Sequence, residues 1–342
     1  MRKQDFTGNL QAYYTEHSGL TRPIITLDQL IDTGWESEIY IYTLTYGPDS
    51  ARTSVKRALR LLTGADFSDA KDEFTIISLL HQAGYPVPQV FELGKPGEVF
   101  RHPFIIMQCI QGDRFAHRFP KSLGDDQGPL KAFITLFRRL HTLEWRPFVE
   151  NPGIIDPPNQ PFFLFDRQLE RFSNYLSRVD IKDLNPAIEW LIGQRQKATC
   201  KKGSVIHYDF HPDNILEDTN GKLYVVDWTS AEISDYRFDL AWTLTLALAY
   251  GGEVRWEMIL KEYERQLGEP VPELDLFEAA AIVRRFAVVM ASLKAGAEKL
   301  GMRPEAVQAM RKEVEPLTRL YERLQSITGL LLPEIKRFLN TL

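Results

Sequence analysis

Two neighbouring segments carry polar side chains whose types and spacing suit the transfer of a phosphoryl group. Asp209 is followed by Asn214 after four intervening residues, and Asp227 ends the next apolar strand along the chain. A carboxylate in the first position can orient a hydroxyl group and take its proton, and oxygen ligands in the other two positions can hold Mg2+. We therefore predict Asp209 as a catalytic base and Asn214 and Asp227 as metal ligands.

The same segment supports a second interpretation. Alternation along an extended chain places His207, Asp209 and His211 on one face, where they could bind a transition metal in a hydrolase. The spacing alone does not separate the two chemistries, so both interpretations stay open at this point.

The motif resembles the catalytic core of the aminoglycoside phosphotransferase and choline kinase family, small-molecule kinases that are related to protein kinases. The family pattern is His-Gly-Asp-x-His-Pro-x-Asn-x-Leu followed by Ile-Asp-Trp, and here Tyr208 stands in place of the glycine. The run 235–242 is similar to the Gly-Asp-Pro-x-x-Asp-Leu-Ala segment of the family. The resemblance implies that Asp239 braces the catalytic loop, and its position at a helix start predicts an N-cap.

The fold expected from the pattern and the resemblance is α+β, a two-lobed protein-kinase-like fold. The small lobe is an antiparallel sheet with one helix, and the large lobe is mainly α-helical. Strand patterns fill 24–62, 87–91 and 104–107, and a helix runs from Ser68 or Asp69 to Ala83. The division is an N-terminal nucleotide-binding lobe at 1–107, a hinge at 108–112 and a C-terminal catalytic and acceptor-binding lobe at 113–342.

Apolar residues at helical spacing predict the helices of the large lobe. These patterns cover 130–145, 163–176, 186–197 and much of 238–342. Prolines mark helix starts and glycines mark helix ends in the last of these ranges: Pro272, Pro304, Pro333, Gly268 and Gly301.

A kinase needs a cation on its third strand and an acid on the following helix to orient that cation. Arg60 and Glu73 fit these positions by order and spacing. Protein kinases have Lys where Arg60 stands, but a planar guanidinium can engage a phosphate and a carboxylate together. The choice of Arg60 over Arg57 rests partly on the resemblance.

The loop at 33–38 is the candidate cover for the nucleotide phosphates. It contains one glycine, Gly34, where kinase loops have three, so side chains such as Ser37 must assist the backbone. A hairpin turn without phosphate contacts explains the loop equally well. A nucleotide-binding regulatory module that has lost transfer activity is therefore the alternative function.

The segment after the fifth strand resembles the hinge of kinases. The resemblance implies that Met107 lines the base pocket, and that the C=O of Gln108 and the N–H of Ile110 hold adenine. ATP with Mg2+ is the cofactor pair that this interpretation predicts.

Composition limits the partners. A net charge of -5 argues against nucleic acid as the main partner, because binding to a phosphate backbone requires a basic surface. No membrane-spanning helix is expected, because the apolar stretches are either too short to cross a membrane or are interrupted by Arg284 and Arg285. The two cysteines, Cys109 and Cys200, lie far apart, which favours a cytoplasmic protein. We expect a small hydroxylated substrate, and the sequence does not indicate the oligomeric state.

The acceptor pocket is expected in the last third of the chain. Acidic and aromatic side chains there could bind an amine, although a solvated helix face explains the charges equally well. The candidates are Asp235, Glu253, Glu257, Trp242, Tyr250 and Trp256.

Overall fold

The structure is a computed structural model, and it describes residues 3–31, 37–178, 181–295 and 311–342. These residues divide into two compact units. Within the described ranges, the sheet unit comprises 3–113 and 216–229, and the helical unit comprises 114–215, 230–295 and 311–342.

An antiparallel five-stranded sheet forms the centre of the sheet unit, with the order β1-β2-β3-β5-β4. Its strands are β1 Ile24–Ile31, β2 Ser37–Tyr46, β3 Thr53–Leu62, β4 Val90–Gly94 and β5 Phe104–Gln108. This confirms the predicted small-lobe sheet.

The predicted helix after β3 is α2, Phe67–Gln82. It begins with a capping box, in which the Asp66 carboxylate accepts from the N–H groups of Ser68 and Asp69 and Asp69 binds back to the Asp66 N–H. Gly84 then adopts a φ of 73°, a left-handed conformation that lets the chain leave the helix.

A second helix, α1 (Lys3–His17), covers one face of this sheet and was not predicted from the sequence. The Phe6 ring stacks on Tyr40 with centroids 4.3 Å apart, and Leu10 is fully buried in the same core. The apolar residues of α1 recur at helical spacing, so the pattern itself indicates the helix.

A small sheet of order β6-β8-β9 lies mostly within the sheet unit. Its strands are β6 Gly112–Arg114, β8 Ile215–Asp218 and β9 Leu223–Val225. The backbones approach closely at Gly112, where an added Cβ would lie 1.8 Å from the Glu217 carbonyl oxygen, so only glycine fits.

The helical unit packs its helices around a short antiparallel pair, β7 (Ser204–Ile206) and β10 (Glu232–Ser234). The helices are α3 Gly128–Thr142, α4 Phe163–Arg178, α5 Asn185–Gly193, α6 Tyr236–Leu267, α7 Leu274–Ala295, α8 Val314–Thr328 and α9 Pro333–Leu339. The predicted mainly helical large lobe is confirmed.

The predicted helix boundaries agree in part with these bounds. Gly268 ends α6 with a φ of 88°, and Pro333 begins α9. The helix predicted at 186–197 is shorter, because α5 ends at Gly193 and a 3-10 turn follows. Pro304 and Gly301 lie outside the described residues.

No helix in the described ranges combines the length and apolarity that a membrane crossing requires.

Candidate active site

The catalytic loop of the helical unit begins at the end of β7 with an unusual backbone conformation. Tyr208 has a φ of 61°, a left-handed conformation that is uncommon for a residue with a side chain. The Asp239 carboxylate stabilises this turn, because it accepts from the N–H groups of His207 and Tyr208 at 2.8 Å each. Glycine, the residue of the family pattern, would adopt this φ without strain.

Asp239 is itself held in place by a buried hydrogen-bond chain. Its carboxylate lies 3.0 Å from His141 Nε2, and His141 Nδ1 lies 2.9 Å from the Tyr263 hydroxyl. The prediction that Asp239 caps the helix is wrong: α6 starts four residues earlier, and its N-cap is Asp235, whose carboxylate accepts from the Arg237 N–H. Asp239 lies in the first turn of α6 and faces the loop.

Both carboxylate oxygens of Asp209 accept hydrogen bonds that orient the side chain. Trp242 Nε1 donates to Oδ1 at 2.9 Å, and Asn214 Nδ2 donates to Oδ2 at 3.2 Å and to the Asp209 carbonyl at 3.0 Å. His211 Nε2 lies 3.4 Å from Oδ2. Yet 37% of the Asp209 side chain remains exposed, so the carboxylate is both oriented and accessible.

The pKa of Asp209 is lowered from its ordinary value. Desolvation acts to raise it, but the hydrogen bond and charge of His211 and the hydrogen bond from Trp242 outweigh that effect. The carboxylate is therefore ionised near neutral pH and accepts, rather than donates, a hydrogen bond from a nearby hydroxyl.

The described residues do not support the transition-metal interpretation. His207 is fully buried, packs edge-on against Phe210, and accepts from the Asp209 N–H through Nδ1 at 3.3 Å. Over the described residues, no group of three or more His, Cys, Asp or Glu side chains is arranged to hold a metal ion.

Sequence reasoning missed one residue of this site, Arg284 on α7. Its guanidinium carbon lies 3.8 Å from the centre of the Tyr208 ring and 3.9 Å from that of Trp242. Its Nη1 donates to the Tyr208 carbonyl at 3.0 Å. The sequence offers no local signal for this contact, because Arg284 lies 76 positions after Tyr208 in the chain and only helix packing brings the two together.

The sheet unit holds a separate polar cluster of three predicted residues. Arg60 on β3 donates to Glu73 at 2.8 Å and to Asp227 at 2.9 Å. Arg60 and Glu73 are buried, whereas 43% of the Asp227 side chain is exposed. The alternation of β3 explains the geometry, since Arg57 lies on the opposite face and stacks on Phe91 at 4.0 Å.

The backbone at Asp227 also adopts a left-handed conformation, with a φ of 67°. Asp and Asn tolerate this region better than most residues. The Thr229 hydroxyl donates to Asp227 Oδ1 at 3.2 Å, which helps to orient the carboxylate just after β9.

The Arg60–Glu73 pair permits a stability prediction. Replacing Arg60 by Met leaves the Glu73 carboxylate buried without its cation, so we expect the free energy of unfolding to fall by about 3–5 kcal/mol in urea titrations. The double variant Arg60→Met, Glu73→Met should recover most of this loss, because an apolar pair can replace a buried ion pair at little cost. A double variant as unstable as the single one would contradict this account.

The other predicted nucleotide contacts lie around the same sheet. Ser37 is buried and begins β2, while Gly34 lies outside the described residues. Met107 and Gln108 end β5, and Met107 packs on a core of Leu62, Ala70 and Ile105.

Ile110 lies between β5 and β6 and is half-buried. Over the part of the chain that the structure describes, its backbone N–H has no hydrogen-bond partner.

The residues expected to form an acidic acceptor pocket do not gather at one place. Asp235 is buried in an ion pair with Arg237, and Glu257 pairs with Lys261 at an exposed position. Trp256 donates to the buried Glu278, and Tyr250 donates to Glu313. Of the six candidates, Trp242 is the one that contacts Asp209.

The antiparallel sheet unit and the mainly helical unit are those of a protein-kinase-like fold. The family model described as "Phosphotransferase enzyme family" matches residues 30–281, well over half of the chain. The chain therefore belongs to the phosphotransferase enzyme family, which confirms the resemblance seen in the sequence. No curated protein matches the chain.

Solved structures show the same fold at low sequence identity. A protein of Ralstonia eutropha JMP134 described as an aminoglycoside phosphotransferase has a TM-score of 0.62 and 16% identity, covering 92% of this chain and 98% of that chain. LicA in complex with AMP has a TM-score of 0.59 and 15% identity, and the match covers 94% of this chain and 99% of that chain. A thermostable mutant of aminoglycoside phosphotransferase APH(4)-Ia, with ADP and hygromycin B, has a TM-score of 0.54 and 15% identity, covering 94% and 98%.

Proposed function

We propose that the protein transfers the γ-phosphate of ATP to a hydroxyl group of a small molecule, assisted by Mg2+. The observation that carries the proposal is the Asp209 carboxylate, which is exposed, held by Trp242 and Asn214, and ionised. A carboxylate in this state can accept a hydrogen bond from the acceptor hydroxyl and align its oxygen with the phosphorus.

The reaction forms a bond between the acceptor oxygen and the γ-phosphorus and breaks the bond from that phosphorus to the β–γ bridging oxygen. ADP leaves, and the hydroxyl proton passes to Asp209. The transition state is loose, so most of the rate enhancement comes from positioning and charge neutralisation. The two oriented oxygens of Asp209 supply the positioning on the acceptor side.

The donor set fits Mg2+, which prefers oxygen ligands. Asp227 offers an exposed carboxylate, and Asn214 offers its amide oxygen, because its nitrogen donates to Asp209. Bound Mg2+ would neutralise charge on the phosphates.

Arg60 would contact a nucleotide phosphate while Glu73 holds it, and Ser37 and Gly34 would cover the phosphates. Met107, Gln108 and Ile110 would bind the base. The Ile110 N–H supports this assignment, because it has no hydrogen-bond partner among the described residues. Two structural neighbours support a nucleotide, since one is a complex with AMP and the other a complex with ADP.

We further propose that the protein acts in the cytoplasm, in line with its two free cysteines, and that neither nucleic acid nor membrane is its main partner. The proposed domain division at 108–112 assigns nucleotide binding to the N-terminal lobe and acceptor binding to the C-terminal lobe.

The proposal is tested by ADP formation from ATP and Mg2+ across a panel of hydroxylated compounds. We expect one class of acceptor to raise ADP formation above the rate with water, with one phosphorylated product for each ADP. Tight ATP binding without turnover for any acceptor would instead favour the regulatory module.

The lowered pKa of Asp209 predicts the acid side of the pH profile. Because a lowered pKa keeps the carboxylate ionised as the pH falls, kcat/KM should not decline through protonation of Asp209 between about pH 7 and pH 5. The direct measurement is the carbon-13 titration of the Asp209 carboxyl, assigned by comparison with Asp209→Asn. A midpoint at or above the ordinary value of 3.8 would contradict the prediction.

A further inference from the structure

Arg284 is a cation placed beside the catalytic loop between two aromatic rings. Its guanidinium lies 3.8 Å from the Tyr208 ring centre and 3.9 Å from that of Trp242. Tyr208 precedes Asp209 in the chain, and Trp242 donates to the Asp209 carboxylate. Arg284 is therefore fixed next to the group that orients the acceptor hydroxyl.

The hydrogen bond and the ring contacts of Arg284 within the described residues involve neutral groups. They are the two rings and the Tyr208 carbonyl, and no carboxylate there forms an ion pair with it. The adjacent Arg285 differs, because it pairs with Glu313. A half-buried guanidinium without a counterion costs free energy, and an anionic ligand would offset that cost.

Further cations surround the other edge of Tyr208. Its hydroxyl donates to Gln168 of α4 at 3.4 Å, and the same helix carries Arg167 and Arg171. Those two guanidinium groups share a single carboxylate, Glu232. Around Tyr208 the three guanidinium groups are matched by three carboxylates, those of Glu232, Asp239 and Asp209. Arg284 is the cation among them that pairs with no carboxylate in the described residues.

We propose that the acceptor carries a carboxylate or phosphate group close to the hydroxyl that is phosphorylated, and that Arg284 binds this anionic group. The inference rests on the proposed function for the identity of the reacting hydroxyl. An ionised Asp209 repels an anionic acceptor, and the Arg284 charge offsets this repulsion while discriminating against cationic acceptors. The stacked rings hold the guanidinium in one orientation, which suits recognition of a planar carboxylate or a phosphate.

The test is a calorimetric binding series with compounds that share one three-carbon frame. Glycerate, glycerol 3-phosphate, glycerol and 3-amino-1,2-propanediol are titrated into the full chain in the presence of Mg2+ and ADP. We expect the anionic members to bind more tightly than the neutral one, and the amine to bind most weakly. The two anions show whether the site prefers a carboxylate or a phosphate.

Variants of Arg284 separate binding from positioning. Arg284→Gln should weaken the binding of the anionic members on the order of 10- to 100-fold and leave glycerol unchanged. The affinity of Arg284→Lys for the anionic members should lie between those of the wild type and Arg284→Gln, since lysine keeps the charge and loses the planar guanidinium. Arg337→Gln removes one exposed guanidinium on α9 and is the matched control, with wild-type affinities expected.

Three outcomes would overturn the inference: no anionic member binds, the amine binds as tightly as the anions, or Arg284→Gln weakens all members equally. The last result would assign Arg284 a purely structural role. Failure of the proposed function looks different, because anionic compounds would then bind in an Arg284-dependent manner while ATP gives no ADP with any acceptor.

Discussion

Replacing Asp209 by Asn is expected to lower kcat about 10²- to 10⁴-fold while ATP binding stays near the wild-type level. The substitution removes the charge that we propose as the acceptor of the hydroxyl proton but keeps an oxygen for Trp242 Nε1. Initial rates of ADP formation with a saturating acceptor give kcat, and a nucleotide-binding titration gives the affinity. Because the side-chain volume is almost unchanged, the variant should unfold near the wild-type temperature.

Asp213→Asn is the matched control, since it removes a carboxylate from the same loop. The Asp213 side chain is 56% exposed and lies 3.8 Å from Arg114, a weak surface pair. We expect nearly wild-type kcat for this variant. Equal losses in the two variants would mean that the loop responds to net charge, and that Asp209 is not the proton acceptor.

Replacing Asp227 by Asn is expected to lower kcat on the order of 10³-fold, which corresponds to about 4 kcal/mol of lost metal-assisted stabilisation. Asn is the appropriate replacement because residue 227 has a φ of 67°, which Asn tolerates and Ala does not. The Mg2+ concentration for half-maximal activity should rise strongly, and a Mg2+ titration of the initial rate measures it.

Asp72→Asn removes an exposed charge from α2 in the same unit and serves as the control for Asp227. Its Mg2+ titration should match that of the wild type. An unchanged Mg2+ requirement in Asp227→Asn would refute the assignment of Asp227 as a metal ligand and leave it as a partner of Arg60.

The sheet and the catalytic loop could be predicted because their signals are local. Alternating apolar residues mark β2 and β3, and the spacing from Asp209 to Asn214 lies within one short loop. The contact between Arg60 and Glu73 could be predicted from strand order, the position of the next helix and the family resemblance, which favoured Arg60 over Arg57.

The remaining parts depend on packing that no short segment contains. Arg284 reaches Tyr208 only because α7 packs on α6, and neither helix alone indicates that contact. The sequence predicts Asp239 as the cap, but β10 ends at Ser234 and the helix begins at Tyr236, which makes Asp235 the cap. The phosphate-covering role of Gly34 and Ser37 stays a prediction.

One helix, α6, controls both the backbone and the side chain of the catalytic loop. Asp239 in its first turn holds two N–H groups of the loop, and Trp242, one turn later, holds the carboxylate. Substitutions on α4 and α7 could therefore diversify acceptor preference during evolution while the chemistry remains intact. Substitutions that change the acceptor would then be tolerated best on the helices that do not hold the Asp209 side chain.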